Sequence, residues 1–305
     1  MYLITGANGF VGRALIAELT RRGLPFRAAS RSAREGHVAV GEIGADTDWR
    51  AALEGVDAVI HLAARVHVMD RSLAEADAEF WPVNVDGSVN LMRKAREAGV
   101  RRLVYLSSIK VNGETTDGRG PFTADEAPNP QDAYGRSKLE AERGLLGLAA
   151  GGGTDVAIIR PPLVYGPGVK ANFASMMKVV RRGIPLPLGA VRNARSLVYT
   201  GNLADLIITA ATHPGAANEV FLAGDGEDLS TAGLLRGLAE AMGVPSRLVS
   251  VPPALLRAGA AAIGKSGVAD RLLGSLAVDI RKTRERLGWT PPYSVAEGLH
   301  ETVRT

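Results

Sequence analysis

The sequence predicts an α/β fold: a doubly wound parallel sheet with a smaller C-terminal lobe. Three observations predict it. The apolar run Leu3-Ile4-Thr5 breaks into glycines at positions 6, 9 and 12, then passes at once into Arg13-Ala14-Leu15-Ile16-Ala17-Glu18-Leu19, whose apolar residues recur at helical period. Strand-like and helix-like stretches alternate regularly as far as Tyr165, the pattern of parallel strands joined by crossover helices. Beyond Gly166 the alternation lapses. This assigns residues 1–165 to the sheet domain, with 196–223 returning to it, and residues 166–305 mainly to the second lobe.

The opening segment is strand, turn and helix start. Gly6 lets the chain turn tightly out of the strand, Gly9 lets backbone approach a pyrophosphate, and Gly12 lets the helix lie close to the sheet. The first N–H groups of that helix, around Phe10, Val11 and Gly12, have no internal partner and sit at its positive end, so an anion belongs there. The reading is a Rossmann-type dinucleotide cradle; the alternative is a glycine-rich loop without a ligand.

The second strand, Phe26 to Ala29, runs into Ser30-Arg31-Ser32. An NAD site places Asp or Glu about 20 residues beyond the glycines for the ribose 2′-hydroxyl, whereas an Arg there accommodates a 2′-phosphate. From Arg27 through Arg34 there is no acid, and there are three arginines. NADP(H) is therefore favoured, with NAD(H) open; the competing reading is a solvated basic loop.

His37 to Val40 reads as a third strand, followed by Gly41-Glu42-Ile43. Leu53 to Ile60 leads into His61-Leu62-Ala63-Ala64, and Asn84-Val85-Asp86-Gly87-Ser88 opens a helix running to about Ala98. Arg101 to Leu106 is a strand ending in Ser107-Ser108-Ile109-Lys110-Val111-Asn112-Gly113. A loop rich in Gly, Pro and acids precedes Tyr134-Gly135-Arg136-Ser137-Lys138, where Tyr and Lys at i and i+4 stand one above the other on a helix face. After a glycine link, Val156 to Ile159 is a buried strand ended by Arg160-Pro161-Pro162-Leu163-Val164-Tyr165-Gly166-Pro167-Gly168, and Glu219 to Leu222 is a final core strand.

The GxxGxxG spacing, the YxxxK pair about 120 residues later, the serines ending the strand between them and the RPxxVYGPG run resemble the short-chain dehydrogenase/reductase superfamily. The likeness is to its extended, nucleotide-sugar epimerase/dehydratase branch, and it covers nearly the whole chain. The resemblance implies that Glu42 and Ile43 meet the adenine and that Leu62, Ala63 and Ala64 let the cofactor lie across the sheet edge, with His61 structural. It implies cofactor contacts at Tyr134, Lys138 and Pro161 as well. Asn84 resembles the family's helix-kinking asparagine, which connects the catalytic lysine to water; as a bare residue it could equally be an N-cap. Aligned on Val111 and Gly113, the catalytic serine falls at Ser108, and Asn112 replaces the family's tyrosine. Substrate contacts are implied at Ser108, Lys110, Tyr134, Asn172, Leu188 and Arg195. Arg195 would meet the nucleotide diphosphate, where a planar fork of donors suits phosphate; read alone, it is equally a surface arginine. A homodimer through the helices at Asn84 and Tyr134 is also implied.

Composition excludes several classes. Cysteine is absent, which removes disulfides and thiol chemistry, and the five histidines show no metal-ligand spacing, so no metal is expected. A strand beginning at Tyr2 leaves no room for a signal peptide. The longest apolar patch, Ala258 to Gly264, is far too short to span a bilayer, so a cytoplasmic protein with no membrane partner is expected. The net charge of +4 is spread along the chain rather than gathered into a run, which argues against nucleic acid and suits an anionic nucleotide ligand.

The chemistry expected is proton and hydride transfer. Free tyrosine, with a pKa of about 10, is a poor proton partner unless its phenolate is stabilised; Lys138 is expected to depress the Tyr134 pKa, and Ser108 to hold the reacting oxygen against it. Sugar-nucleotide 4,6-dehydratases of the resembled family carry an Asp-Glu pair where this chain has Ile109 and Lys110, so water elimination is not expected. Two reactions remain. The arginines after strand two favour a reductase, and the run Ser107-Ser108-Ile109-Lys110-Val111-Asn112-Gly113-Glu114 resembles bacterial reductases that act on UDP-linked 4-keto sugars in surface-polysaccharide precursor synthesis. The alternative is 4-epimerisation of the UDP-glucose or UDP-GlcNAc type with tightly bound NAD.

Overall fold

A computed structural model describes residues 1–66 and 78–304 of the chain. β1 (Tyr2–Thr5), β2 (Phe26–Ser30), β3 (His37–Ala39), β4 (Ala58–His61), β5 (Arg102–Leu106) and β6 (Asp155–Arg160) form one parallel sheet. β7 (Leu163–Tyr165) and β8 (Leu197–Tyr199) pair in parallel as a separate ribbon, and β9 (Glu219–Leu222) completes the main sheet, whose order is β3-β2-β1-β4-β5-β6-β9. The chain starts mid-sheet at β1, which pairs with β2 on one side and β4 on the other. The crevice at the carboxyl ends of those central strands is where such sheets bind ligands.

Successive strand residues point to opposite faces. Leu3, Val59, Leu103 and Ile158 pack with Leu91 and Leu145 in one layer, while Ile4, Ile60, Val104 and Ile159 pack with Leu15, Leu19 and Ile207 in the other. Helices therefore cover both faces, and the central strands are largely apolar, with polar residues mostly at their ends. The helices are α1 (Phe10–Arg21), α2 (Arg50–Leu53), α3 (Gly87–Glu97), α4 (Ala133–Ala149), α5 (Ala171–Arg181), α6 (Thr200–Thr212), α7 (Thr231–Ala241), α8 (Pro253–Ala262), α9 (Ser266–Leu273), α10 (Arg281–Leu287) and α11 (Val295–Val303). A third core, built on Tyr165, Phe173, Tyr199, Leu234, Leu238 and Leu299, holds the C-terminal lobe.

Two local features depart from the sequence expectation. Leu53 ends α2 rather than opening a strand, because Gly55 turns the chain at φ +68 before β4 begins. Asn84 is no N-cap: it lies in a π-helical turn, Pro82–Asp86, that runs directly into α3. Such insertions deform a helix locally and recur at functional sites.

Candidate active site

The glycine turn is built to close tolerances. Gly6 is left-handed at φ +69, and a Cβ there would lie 2.7 Å from Ala63 N; a Cβ on Gly12 would lie 2.3 Å from Gly6 O. No side chain fits between β1, the end of β4 and α1. Gly9 caps α1 without a side-chain bond, which leaves the first-turn N–H groups for an anion. These residues form one end of a groove of about 540 Å³. Its walls continue through Ser30, Arg31, Glu42 and Ile43, then Leu62, Ala63 and Ala64, to Tyr134 and Lys138. An anion cradle at one end and a tyrosine–lysine pair at the other fit an elongated nicotinamide dinucleotide. At the rim, Arg31 Nη1 donates to Glu42 Oε1 at 3.3 Å, with both side chains exposed.

His61 is a strut. It is fully buried, with Nδ1 2.6 Å from Thr5 Oγ1 and Nε2 2.9 Å from Ser88 Oγ. Ala63 N–H donates to Thr5 Oγ1 at 3.2 Å and Ser88 Oγ donates to Asn84 O at 2.7 Å, so Thr5 gives its proton to Nδ1 and the ring proton goes to Ser88. Burial, helped by the nearby Lys138 charge, holds the imidazole down at about 3, and it stays neutral.

Asp132 starts α4 by accepting from Gly135 N at 2.7 Å, which sets Tyr134 in the first turn and Lys138 one turn on. Lys138 is buried. Its Nζ donates to Leu106 O at 2.7 Å and Tyr105 Oη at 3.1 Å, and it stands 4.3 Å from the Tyr105 ring centroid. Burial, opposed by Glu142, pushes this ammonium down to about 7; burial, reinforced by Asp132, pushes the Tyr134 phenol up to about 12. The expected depression of Tyr134 by Lys138 is thus reversed. Desolvation of the phenol dominates, and the ammonium is directed at Leu106 and Tyr105.

The adjacent serines divide their work. Ser107 lines the groove but donates to Glu142 Oε1 at 2.5 Å. Ser108 caps the turn Ile109–Val111, accepting from Lys110 N at 3.3 Å, and among the described residues its own proton is uncommitted. Asn84 Oδ1 accepts from Arg65 N at 2.8 Å, and Nδ2 donates to Ser137 Oγ at 3.0 Å. It ties the segment after β4 to α4 and makes no bond to Lys138.

A buried ion pair beneath these groups escaped the sequence reading. Arg160 grips Glu142 through Nε at 2.9 Å and Nη2 at 2.5 Å, and its Nη1 donates to Asn112 Oδ1 at 3.0 Å. Asn112 Nδ2 in turn donates to Thr123 O at 2.9 Å. The residue replacing the family's tyrosine therefore joins the serine turn to the loop before Tyr134. Glu142 stands four residues beyond Lys138 on the same helix, but its partner Arg160 comes from β6, 18 residues on, so no local spacing marks the pair.

Other expected contacts lie elsewhere. Pro161 is not in the groove wall; its carbonyl accepts from Ile109 N at 3.0 Å and fixes the serine turn. Lys110 is ion-paired with Glu114 at 3.0 Å and with Asp132. Asn172 is exposed in the first turn of α5, and Leu188 is buried in the lobe core. Arg195 is mostly buried, which lowers its pKa, and Nη1 donates to Arg271 O at 2.8 Å and Gly274 O at 3.1 Å. None of these last three lines the groove.

Residues 2–224 match the NAD dependent epimerase/dehydratase family. A UDP-glucose 4-epimerase from Vibrio cholerae is 46% identical over 99% of this chain and 94% of its own length. Among solved structures, MoeE5 in complex with UDP-glucose and NAD superposes with a TM-score of 0.76 at 26% identity, covering 99% of this chain and 97% of that one. A UDP-N-acetylglucosamine 4-epimerase from Bacillus cereus shares the fold, with a TM-score of 0.81 at 23% identity over 98% and 96% of the two chains. Groove, tyrosine–lysine pair and likeness agree, and the chain belongs to the NAD dependent epimerase/dehydratase family, as an enzyme of the extended short-chain dehydrogenase/reductase type.

Proposed function

We propose that the protein is a nucleotide-sugar 4-epimerase acting on a UDP-hexose or UDP-N-acetylhexosamine with retained NAD(H). The observation that carries this reading is the 46% identity to a UDP-glucose 4-epimerase over essentially the full length of both chains. Site geometry supports it by what stands beside Ser108. Ile109 is buried, and Lys110 is held by Glu114 and Asp132, so neither serves as the acid–base pair of an elimination. The 4-ketoreductase favoured by the basic loop after β2 gives way. It rested on the arginines and missing acid after β2 and on the likeness of the Ser107–Glu114 run to bacterial reductases; of those arginines, Arg31 contacts Glu42 at 3.3 Å with both side chains exposed.

A bound nicotinamide dinucleotide would supply a reversible hydride acceptor and, when oxidised, a positive charge in the groove. The protein supplies the rest. The turn from Gly6 to Gly12 and the first N–H groups of α1 hold the pyrophosphate. As its phenolate, a form that positive charge from a bound nicotinamide ring would favour, Tyr134 Oη would take the proton from the sugar O4 as the ketone forms and, as the phenol, return it as the ketone is reduced. Ser108 donates a hydrogen bond to the same oxygen, and Lys138, anchored on Leu106 O one helical turn from Tyr134, adds positive charge to that end of the groove when protonated. Inversion follows when the ketone presents its opposite face. A homodimer through α3 and α4 belongs to the same reading.

Nucleotide released by heat from the purified protein tests it. Stoichiometric NAD⁺ or NADH is expected. A protein that purifies without nucleotide, or with NADP(H), and reduces UDP-4-keto sugars at the expense of NADPH would overturn it.

A further inference from the structure

The apolar run too short to span a bilayer, Ala258 to Gly264, lies largely in α8, a helix with no buried residue. Only Leu256 and Ala260, one turn apart, lean on the lobe core. The opposite face looks outward. Leu255 is 64% exposed and Ile263, just past the helix end, is 68% exposed; Val268 on α9 and Val249 before α8 are also exposed. Ala258, Ala261 and Ala262 fill the space between them, and all three are exposed. A water-facing helix places polar residues on its outer side. Here the only polar residue of α8 is Arg257. A contiguous apolar face of this kind marks an interaction site, where a lone exposed leucine would not.

Charge identifies the occupant. From 253 to 273 the chain carries Arg257, Lys265 and Arg271 against Asp270 alone. Arg257 and Lys265 make no ion pair among the described residues. Two copies of this face would bring like charges together, whereas an anionic headgroup layer complements them. Helices that lie in a membrane surface combine an apolar side with basic residues in this way.

We infer that α8, with Ile263 and the start of α9, docks on an anionic lipid bilayer, its apolar face in the headgroup boundary and Arg257 and Lys265 at the phosphates. Hydrogen bonds connect the end of the docking face to the loop before Tyr134. Arg195 holds the carbonyls of Arg271 and Gly274 at the end of α9, and the following residues pair with the loop before Tyr134, through Thr116 N to Ser275 O and Phe122 N to Ala277 O, both at 2.9 Å. The expectation of no membrane partner rested on spanning length, and a peripheral face needs none. This inference stands apart from which sugar the site turns over.

The test is sedimentation of the purified full-length protein with phosphatidylcholine vesicles, with and without phosphatidylglycerol. Binding to the anionic vesicles is expected, with loss as salt screens the headgroups. Leu255→Glu combined with Ile263→Glu should reduce binding at least tenfold, and Arg257→Gln or Lys265→Gln about fivefold each. Melting temperature and turnover of free UDP-sugar should be unchanged in all of these variants. Wild-type protein left in the supernatant with anionic vesicles would overturn the inference. So would a double glutamate variant that sediments like wild type. A wild-type dimer that the double variant splits into monomers, with no vesicle binding by either, would assign the face to a second copy instead.

Discussion

Glu142 and Asp225 are both buried carboxylates, 2% and 8% exposed, and the protein treats them in opposite ways. Glu142, below the serine turn of the sheet domain, has a full counter-charge: Arg160 grips both of its oxygens. Asp225, just beyond β9, has only neutral donors. Tyr165 Oη donates to it at 2.8 Å, Tyr199 N at 2.9 Å and Asn202 Nδ2 at 2.8 Å. Dipoles do not offset the burial, which raises the Asp225 pKa. The ion pair sets a fixed geometry beside the reacting hydroxyls, while the neutral cluster ties the β7–β8 ribbon to the sheet and leaves a carboxyl sensitive to pH.

The largest expected effect separates catalysis from both clusters. Tyr134→Phe removes one hydroxyl and keeps the ring against Phe80, so kcat should fall by about 10²–10⁴ while the melting temperature barely moves. Equal loss of folding and activity would place Tyr134 in the scaffold instead.

Breaking the charged cluster comes next. Glu142→Gln leaves Arg160 buried without its counter-charge and should cost about 3–5 kcal/mol in urea unfolding. Replacing both partners by apolar residues, Glu142→Leu with Arg160→Met, should cost less than the single change. If the single variant proves the milder one, the pair is not the strut described here.

His61 supplies a smaller, pH-dependent term. It is neutral in the fold, with a pKa of about 3, and takes a proton near pH 6.5 when unfolded. The unfolded state therefore binds the extra proton between those values, and stability falls as pH drops, by about 2 kcal/mol from pH 6.5 to 5. Stability curves for wild type and His61→Gln should converge toward acid pH; parallel curves would contradict the assignment.

Asp225 should act in the reverse direction and more weakly. Its folded pKa is raised, so the fold holds the proton more tightly than the unfolded chain, and stability declines as pH rises above the ordinary aspartate value. Asp225→Asn should remove that decline at a cost of about 1 kcal/mol for an imperfect hydrogen bond. A variant as pH-dependent as wild type would show that Asp225 is not the group responsible.

What was legible in the sequence follows the range of the forces involved. The glycine turn, the strands and the Tyr134–Lys138 face are local patterns, set by backbone freedom and by periods of two and 3.6 residues. Partners brought together by the fold were not legible. Arg160 and Glu142 are 18 residues apart, and Arg195 finds Arg271 76 residues away, so neither the strut nor the anchoring of Arg195 could be read from spacing. Direction of titration was lost for the same reason: the Tyr134 pKa depends on how much protein surrounds the phenol, which no local motif states. The choice of Ser108 over Ser107 came from alignment to the family's loop; Ser107 lines the groove and is engaged by Glu142, while Ser108 caps the turn that follows.

The most direct test of the central claim is proton NMR of UDP-galactose, and separately of UDP-N-acetylgalactosamine, incubated with the purified enzyme and no added nucleotide. The account predicts that at least one is converted to its 4-epimer until equilibrium is reached, and that Tyr134→Phe leaves both unchanged. No epimer from either sugar, together with NADPH-dependent reduction of a UDP-4-keto sugar by the same preparation, would contradict it.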